Sequence, residues 1–290
     1  MKSKSICKVV PLVCALLCGG YLLWGWRGST GGAPSRETDP HFDPLEHCST
    51  DLGTLLGYAF SVPAFSNCHR SYKAMRLVVT RFGRPDFVLD YNDGAAGNYF
   101  SGTPWLSTEY VARFLFHHRG VTHLPADTPQ DVWTSKYFYN PLEGEVGGKR
   151  RRYEPVRIAN YDAATTAKLR KRLAPRFADI VVWPAQSEEG LPGGHVAVVV
   201  QVEDDVAAAG GADRLRALRR ERLQPQLVYI AEQNFDNAPW AGRNYSRVLR
   251  FYWENGKEAV LQDPSGARVL GLVRKGKLAL NLEDDDAGDL

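Results

Sequence analysis

The chain has 290 residues, 44% of them hydrophobic, so it is long enough to bury the core of one large or two small domains. Its 36 basic and 33 acidic residues leave a formal net charge of +3, which is close to neutral and points to no particular class of partner. The basic residues cluster in a few places without interleaved aromatic residues, so we expect solvated faces and no nucleic-acid partner.

An apolar segment near the N-terminus predicts that the protein is located at a membrane. Residues 9–26 carry no charge, and their number is near the lower limit of about 17–25 for a membrane-spanning helix. Lys2, Lys4 and Lys8 precede the segment, and this excess of lysine predicts a cytosolic N-terminus. The sequence therefore predicts a single-pass membrane protein whose C-terminal domain is lumenal or extracellular. A cleaved signal peptide, and hence a secreted protein, is the alternative.

Composition divides the chain into four parts. We expect residues 1–27 to be the membrane anchor or signal segment and residues 28–42, rich in Gly, Ser and Pro, to be a linker. Residues 43–277 contain no further obvious linker and are expected to form one domain. Residues 278–290 include a run of acidic residues and predict a solubilising tail.

Two of the five cysteines belong to the predicted domain, namely Cys48 and Cys68. A domain translocated across a membrane meets an oxidising compartment, which permits a disulfide between them. Two unrelated free thiols are the alternative, and the sequence leaves both open.

The first half of the predicted domain contains a helix. Residues 52–65 are apolar pieces broken by Gly and Pro and predict a strand and a turn, whereas residues 90–101 predict a loop. Thr103 and Pro104 predict the helix start, with Pro as the first helical residue, and Gly120 predicts its end. Apolar residues that recur at helical spacing predict one buried face: Tyr110, Val111, Phe114 and Leu115.

The second half predicts mainly strands. Residues 163–173 and the charged stretch 212–223 predict helices. Six segments rich in Val, Ile, Tyr and Trp predict strands: 179–183, 195–202, 226–231, 245–253, 258–262 and 269–273. Asn255-Gly256 predicts a hairpin turn. A helix followed by consecutive antiparallel strands predicts an α+β fold, in which the N-terminal helix packs on an antiparallel sheet after the membrane or signal helix.

Four residues are candidates for nucleophilic catalysis. Ser107 lies near the start of the apolar helix, where the helix dipole and free backbone N–H groups can activate a nucleophile and hold an oxyanion. His195 opens an apolar strand and Glu232 ends another, so the carboxylate can orient the imidazole of a general base. Asn234 points to the same face as Glu232 and can help to orient the ring. A helix cap at Ser107 and a core histidine at 195 are the structural alternatives.

Three segments carry a resemblance to a known family. Residues 105–113, Trp-Leu-Ser-Thr-Glu-Tyr-Val-Ala-Arg, resemble a Trp-Gln-Cys-Val-Glu-Phe-Ala-Arg-Arg run. Residues 194–197, Gly-His-Val-Ala, and residues 231–234, Ala-Glu-Gln-Asn, resemble a strand start and a strand end of the same family. The family is that of the CHAP-type cysteine amidases and peptidases (peptidase C51-like), in particular the amidase domain of glutathionylspermidine and trypanothione synthetases.

The resemblance spans roughly residues 51–271 and implies a papain-like CHAP fold. It places Ser107 where the family has its nucleophilic cysteine, His195 as the general base and Glu232 as the orienting carboxylate. It also implies a peptide or a glutathionylspermidine-like small molecule as the ligand.

The missing sulfur determines the functional prediction. A thiol beside a histidine exists largely as the thiolate, whereas a serine hydroxyl must lose its proton during attack. We therefore expect a membrane-anchored pseudo-amidase that binds a peptide-like or polyamine-amide ligand. An active amidase or peptidase that uses Ser107, His195 and Glu232 is one alternative, and a non-catalytic interaction domain is another. No further metal-ligating residues accompany His117 and His118 in the sequence, so no metal is expected. The sequence has no Gly-rich phosphate-binding loop, so no cofactor is expected either.

Overall fold

The computed structural model describes residues 48–70, 72–74, 76–90, 97–143 and 151–279. These residues belong to one compact unit, Pro34–Leu290. The predicted anchor and linker, and the acidic tail beyond residue 279, lie outside the described residues. Within the described ranges, no helix is both long and apolar enough to cross a membrane.

The described residues form an α+β structure in which all paired strands are antiparallel. The helices are α1 Ser107–Arg119, α2 Pro129–Thr134, α3 Ala167–Leu173 and α4 Ala212–Glu221. The strands are β1 Leu55–Ala59, β2 Val62–Phe65, β3 Val78–Arg81, β4 Arg84–Asp90, β5 Asn98–Gly102, β6 Thr122–His123, β7 Phe138–Tyr139, β8 Arg152–Ala159, β9 Ile180–Trp183, β10 His195–Asp204, β11 Gln226–Ala231, β12 Arg247–Glu254, β13 Glu258–Gln262 and β14 Gly271–Leu278. A 3₁₀ turn covers Ser187–Glu189.

A nine-stranded sheet is the main element, with the order β13-β12-β11-β10-β9-β14-β8-β7-β6. Its central strands β9 and β10 are covered on both faces, because their alternate residues enter two different hydrophobic clusters. Val196 and Val198 face one cluster, whereas Ala197 and Val199 face the other. Burial on both faces explains why this stretch of sequence is apolar without alternation.

Helix α1 packs on one face of the sheet, next to β10. The four residues predicted to form its apolar face are buried in the cluster that also contains Val196 and Val198. Gly120 ends the helix in the left-handed region and donates its N–H to Phe116, which confirms the predicted stop.

The predicted start of this helix is wrong. Leu106 is the N-cap and Ser107 is the first helical residue, because residues 103–106 form a turn in which Leu106 N–H donates to the Thr103 carbonyl at 3.1 Å. Leu106 has no side chain that can cap the helix. Ser107 therefore lies at the helix end itself rather than one turn into it.

Several strands were not predicted. Part of the segment predicted as a loop is strand β5, which pairs with β3. Strand β8 occupies a stretch that is polar and basic in sequence, and it pairs with β14 inside the main sheet. Five strands of the described part of the chain precede α1, so the helix does not come first in the domain. The predicted helix at 163–173 is shorter and begins at Ala167, after the N-cap Thr166.

Two local predictions are settled by the structure. The cysteines Cys48 and Cys68 are joined by a disulfide, with a Cα–Cα distance of 4.5 Å. The bridge packs with Leu52, Tyr72 and Ala74 in a small cluster of its own. The predicted hairpin turn between β12 and β13 is confirmed, with Asn255 and its neighbouring glycine both at positive φ.

Candidate active site

Three of the four candidate residues come from adjoining elements. Ser107 begins α1, His195 begins β10, and Glu232 follows the last residue of β11. Strands β10 and β11 are hydrogen-bonded neighbours, with Val198 opposite Ala231, and α1 packs next to β10. The topology therefore brings segments that are far apart in sequence to one end of the sheet.

His195 and Glu232 form a buried pair. The Nε2 atom of His195 lies 2.8 Å from Oε2 of Glu232, and the two residues are 1% and 3% exposed. Since an ionised carboxylate can only accept a hydrogen bond, Nε2 carries the proton and donates it. Rings of Trp183 and Phe235 lie on the imidazole, each with its centroid 5.4 Å away. This arrangement leaves Nδ1 as the ring nitrogen that can serve a nucleophile.

The carboxylate of Glu232 is braced by two further side chains. Ser246 Oγ donates to Oε1 at 2.9 Å, and Arg247 donates through Nε to Oε1 at 2.6 Å and through Nη2 to Oε2 at 3.1 Å. The Nη1 of Arg247 is in turn held by both carboxylate oxygens of Asp263 at 3.0 Å. Asp263 also accepts from the indole N–H of Trp183 at 3.1 Å.

The neighbouring side chains of Arg247 and His195 keep Glu232 ionised although it is buried. Burial alone would raise its pKa, but Arg247 and the hydrogen bond from His195 more than offset this and hold the pKa of Glu232 well below its usual range. Burial would likewise lower the pKa of Arg247, and Glu232 and Asp263 raise it instead. The site can therefore orient an imidazole and stabilise an imidazolium next to it.

Ser107 lines a cleft of about 230 Å³, which we call the Ser107 cleft. Its wall also includes Thr108, Gly194 and Asn234. Because no side chain caps the start of α1, backbone N–H groups of its first turn are left for a ligand in the cleft. No hydrogen bond joins Ser107 to His195 in the part of the chain that the structure describes. The base is therefore oriented, and the hydroxyl is not engaged with it.

Asn234 is not hydrogen-bonded to His195 among the described residues. The residue lies in the left-handed region, with φ 60°, and lines the cleft. Its Oδ1 atom is buried without a partner among the described residues, and it makes no hydrogen bond with the imidazole. Among the described residues, the side chain that is hydrogen-bonded to the His195 imidazole is Glu232.

A buried polar network was missed by the sequence reasoning. Arg113 donates to Glu109 through Nε at 2.8 Å, and to the Pro63 carbonyl through Nη1 at 2.6 Å. Gln233 donates to Glu109 at 2.8 Å and to the Leu106 carbonyl at 3.0 Å. The network ties the start of α1 to the end of β11 and thereby positions Ser107 relative to Glu232. Two opposite charges at an i, i+4 spacing within an apolar helix were the available signal.

A metal site is not formed by the described residues, since no group of three or more His, Cys, Asp or Glu side chains among them can hold an ion. No model of a known protein family matches the chain, and no curated protein matches it.

Proposed function

We propose that this chain is a CHAP-type, amidase-like protein with a papain-like fold, and that it binds a peptide-like or polyamine-amide ligand in the Ser107 cleft with little or no hydrolysis. One observation carries the proposal. His195 is held by Glu232 in the orientation of a general base, while the hydroxyl of Ser107 forms no hydrogen bond with it. These two features support ligand binding without an activated nucleophile.

The chemistry of the two nucleophiles explains why hydrolysis is impaired. A general base must lie within about 2.6–3.2 Å of the group whose proton it removes. A cysteine in this position can form a thiolate–imidazolium pair before the substrate arrives, and the start of a helix stabilises that thiolate. The hydroxyl of Ser107 is far less acidic, so it needs the close contact with His195 during attack.

The role of the remaining groups follows from the same geometry. An amide carbonyl next to Ser107 would accept hydrogen bonds from backbone N–H groups of the first turn of α1. The His195–Glu232 pair would present the unprotonated Nδ1 of the imidazole to the ligand. Gly194 lines the cleft and admits the ligand backbone close to the base.

A serine hydrolase is the second candidate. It is favoured by the braced Glu232 carboxylate, whose three donors match what a working base requires. In this case a ligand would have to bring Ser107 within reach of His195. An incidental cleft is less favoured, because the Ser107 cleft is open rather than filled by side chains of the protein.

Amide hydrolysis by the purified full chain distinguishes these functions. Wild type, Ser107→Cys and Ser107→Ala would be assayed on glutathionylspermidine and on short peptides, with ligand binding measured in parallel. We expect all three to bind, and only Ser107→Cys to hydrolyse the amide. Adding His195→Ala to the cysteine variant should abolish that hydrolysis.

Two results would contradict the proposal. Turnover by wild type that disappears in Ser107→Ala would identify a serine amidase. Absence of both binding and turnover in every form would leave an interaction domain as the explanation.

We also propose that the protein is anchored by its N-terminal segment, with the domain on the lumenal or extracellular side. The disulfide between Cys48 and Cys68 supports an oxidising compartment. Resistance to carbonate extraction, together with an intact N-terminus, is the expected result. A soluble form that has lost the apolar segment would instead favour the secreted alternative.

A further inference from the structure

A second cleft, of about 250 Å³, lies at the C-terminal end of α1. Ser107 begins this helix and Arg119 ends it, so the length of the helix, about 18 Å, separates the two clefts. The charged residues that line the second cleft are Arg119, Arg176, Asp179, Arg274 and Lys275. We call it the basic cleft.

Among the described residues that line the basic cleft, Asp179 is the only acidic one, and its carboxylate is already paired. Asp179 is 1% exposed and accepts two hydrogen bonds from Arg274, both at 2.6 Å, and one from the backbone N–H of Arg176 at 2.8 Å. Arg274 also donates to two backbone carbonyls. Asp179 and Arg274 therefore form a fixed, formally neutral pair in the wall.

Three cationic side chains remain without a carboxylate among the described residues. Arg119 donates one N–H to the Phe177 carbonyl at 2.8 Å and lies on the Phe177 ring. Arg176 donates one N–H to the Lys171 carbonyl at 2.6 Å. Since a guanidinium has five N–H donors, both arginines are held in place with most of their donors left over.

The third cation is Lys275, whose Nζ lies 3.9 Å from the centre of the Tyr153 ring. Burial and the charge of Arg119 lower the pKa of Lys275. Burial and the charge of Arg274 lower the pKa of Arg176, although Asp179 opposes this. These positive charges are partly buried and repel one another, so a bound anion would stabilise them.

We infer that the basic cleft binds a phosphate-type anion, held by Arg119, Arg176 and Lys275. Guanidinium groups match the oxygens of a phosphate in a bidentate manner, and a lysine adds a point charge. A soluble phosphorylated compound and the headgroup of an anionic lipid present the same chemistry. The inference is independent of the function proposed for the Ser107 cleft.

Binding of two probes to the full chain tests the inference. Inorganic pyrophosphate represents the soluble source, and phosphatidylcholine vesicles that contain phosphatidic acid represent the lipid source. The same vesicles without phosphatidic acid give the background. The double variant Arg176→Gln with Lys275→Gln should weaken binding by about tenfold or more, because it removes charge-assisted hydrogen bonds.

A matched control variant loses the same number of positive charges outside the basic cleft. Lys168 and Arg220 are exposed and do not line the basic cleft, so Lys168→Gln with Arg220→Gln should bind like wild type. Arg119→Gln, at an exposed side chain, is a second cleft variant in case the first one folds poorly, and it should weaken binding in the same direction.

Each outcome bears on the inference. Pyrophosphate binding that is lost in the cleft variants identifies a soluble phosphate ligand, and loss of vesicle binding alone identifies a lipid headgroup. Equal weakening in the cleft and control variants would show only a general effect of surface charge and would overturn the inference. Absence of binding in both arms would overturn it as well.

Discussion

Gly194 has a backbone conformation that other residues adopt only with strain. Its φ is 77°, and a Cβ atom at this position would lie 2.7 Å from the Trp183 carbonyl oxygen. That carbonyl belongs to β9, which is paired with the first residue of β10. The position of His195 at the end of the sheet therefore depends on the absence of a side chain at residue 194.

Replacement of this glycine should be costly. We expect Gly194→Ala to lower the free energy of unfolding by about 1–3 kcal/mol, from backbone strain and the contact with Trp183. Gly193→Ala is the control, since a Cβ there would meet nothing within 4 Å. Urea unfolding of the two variants measures the difference. Equal stability of both would contradict the importance of the left-handed conformation.

The ionised Glu232 makes stability depend on pH in a defined direction. Its pKa is lower in the folded chain than in the unfolded chain, because Arg247 and His195 outweigh the effect of burial. Its contribution is therefore fully present above the unfolded value, about pH 4.3, and is lost as the pH falls toward the folded value.

Glu232→Gln tests this prediction. Removing one partner of a buried ion pair costs about 3–5 kcal/mol, so the variant should be less stable than wild type at about pH 6. The gap should narrow below about pH 4.3, since the carboxylate of the unfolded wild type takes up a proton there while that of the folded chain stays ionised, which lowers the stability of the wild type. Urea unfolding across this pH range measures it, with exposed Glu254→Gln as the control. A gap that stays constant down to low pH would contradict the assigned charge state.

Helix α1 is held in place by a polar network as well as by its apolar face. Arg113 and Glu109 are completely buried, and Arg113 also reaches the carbonyl of Pro63 in β2. Gln233, directly after Glu232, donates to the carboxylate of Glu109 and to the carbonyl of Leu106 at the start of the helix. The element that carries Ser107 is thus tied to the element that precedes Glu232.

Loss of one charge in this network should destabilise the chain strongly. Arg113→Met leaves the Glu109 carboxylate buried without its cation, at an expected cost of about 3–5 kcal/mol in the free energy of unfolding. The double variant with Glu109→Gln should recover part of this loss, because no unpaired charge remains. Chemical unfolding measures both. A double variant that is less stable than Arg113→Met would show that the charges themselves are not the cause.

Elements of the second half of the domain were the most predictable. Strands β11 and β13 have the predicted bounds, since their Val-, Ile- and Leu-rich runs are flanked by turn residues. Strand β8 was missed because Arg152, Glu154, Pro155 and Arg157 mask its pattern. Its place in the sheet comes from pairing with β14, which local sequence does not show.

The disulfide between Cys48 and Cys68 is expected to stabilise the fold of the whole domain. The bridge joins residues 20 apart in sequence, and closing such a loop should contribute about 3 kcal/mol by restricting the unfolded chain. We expect Cys48→Ser with Cys68→Ser to lower the free energy of unfolding by about that amount. A reducing agent should destabilise wild type and leave the double variant unchanged. Equal stability of both forms would contradict a structural role for the bridge.

Features that depend on near neighbours could be predicted from the sequence alone. The apolar runs of β9 and β10, the glycine stop of α1 and the Asn255-Gly256 turn follow from local composition and backbone preference. The candidate residues Ser107, His195 and Glu232 were also found from the sequence, as motifs.

The contacts among these residues could not be predicted from the sequence and are seen only in the folded chain. Pairing of Cys48 with Cys68, the brace from Arg247 and Asp263, and the missing hydrogen bond between Ser107 and His195 each depend on distances between residues that are remote in sequence. Strand register and helix packing set those distances to within an ångström, and composition carries no such information. The same packing placed Glu232 in hydrogen-bond contact with the imidazole and left Oδ1 of Asn234 without a partner among the described residues.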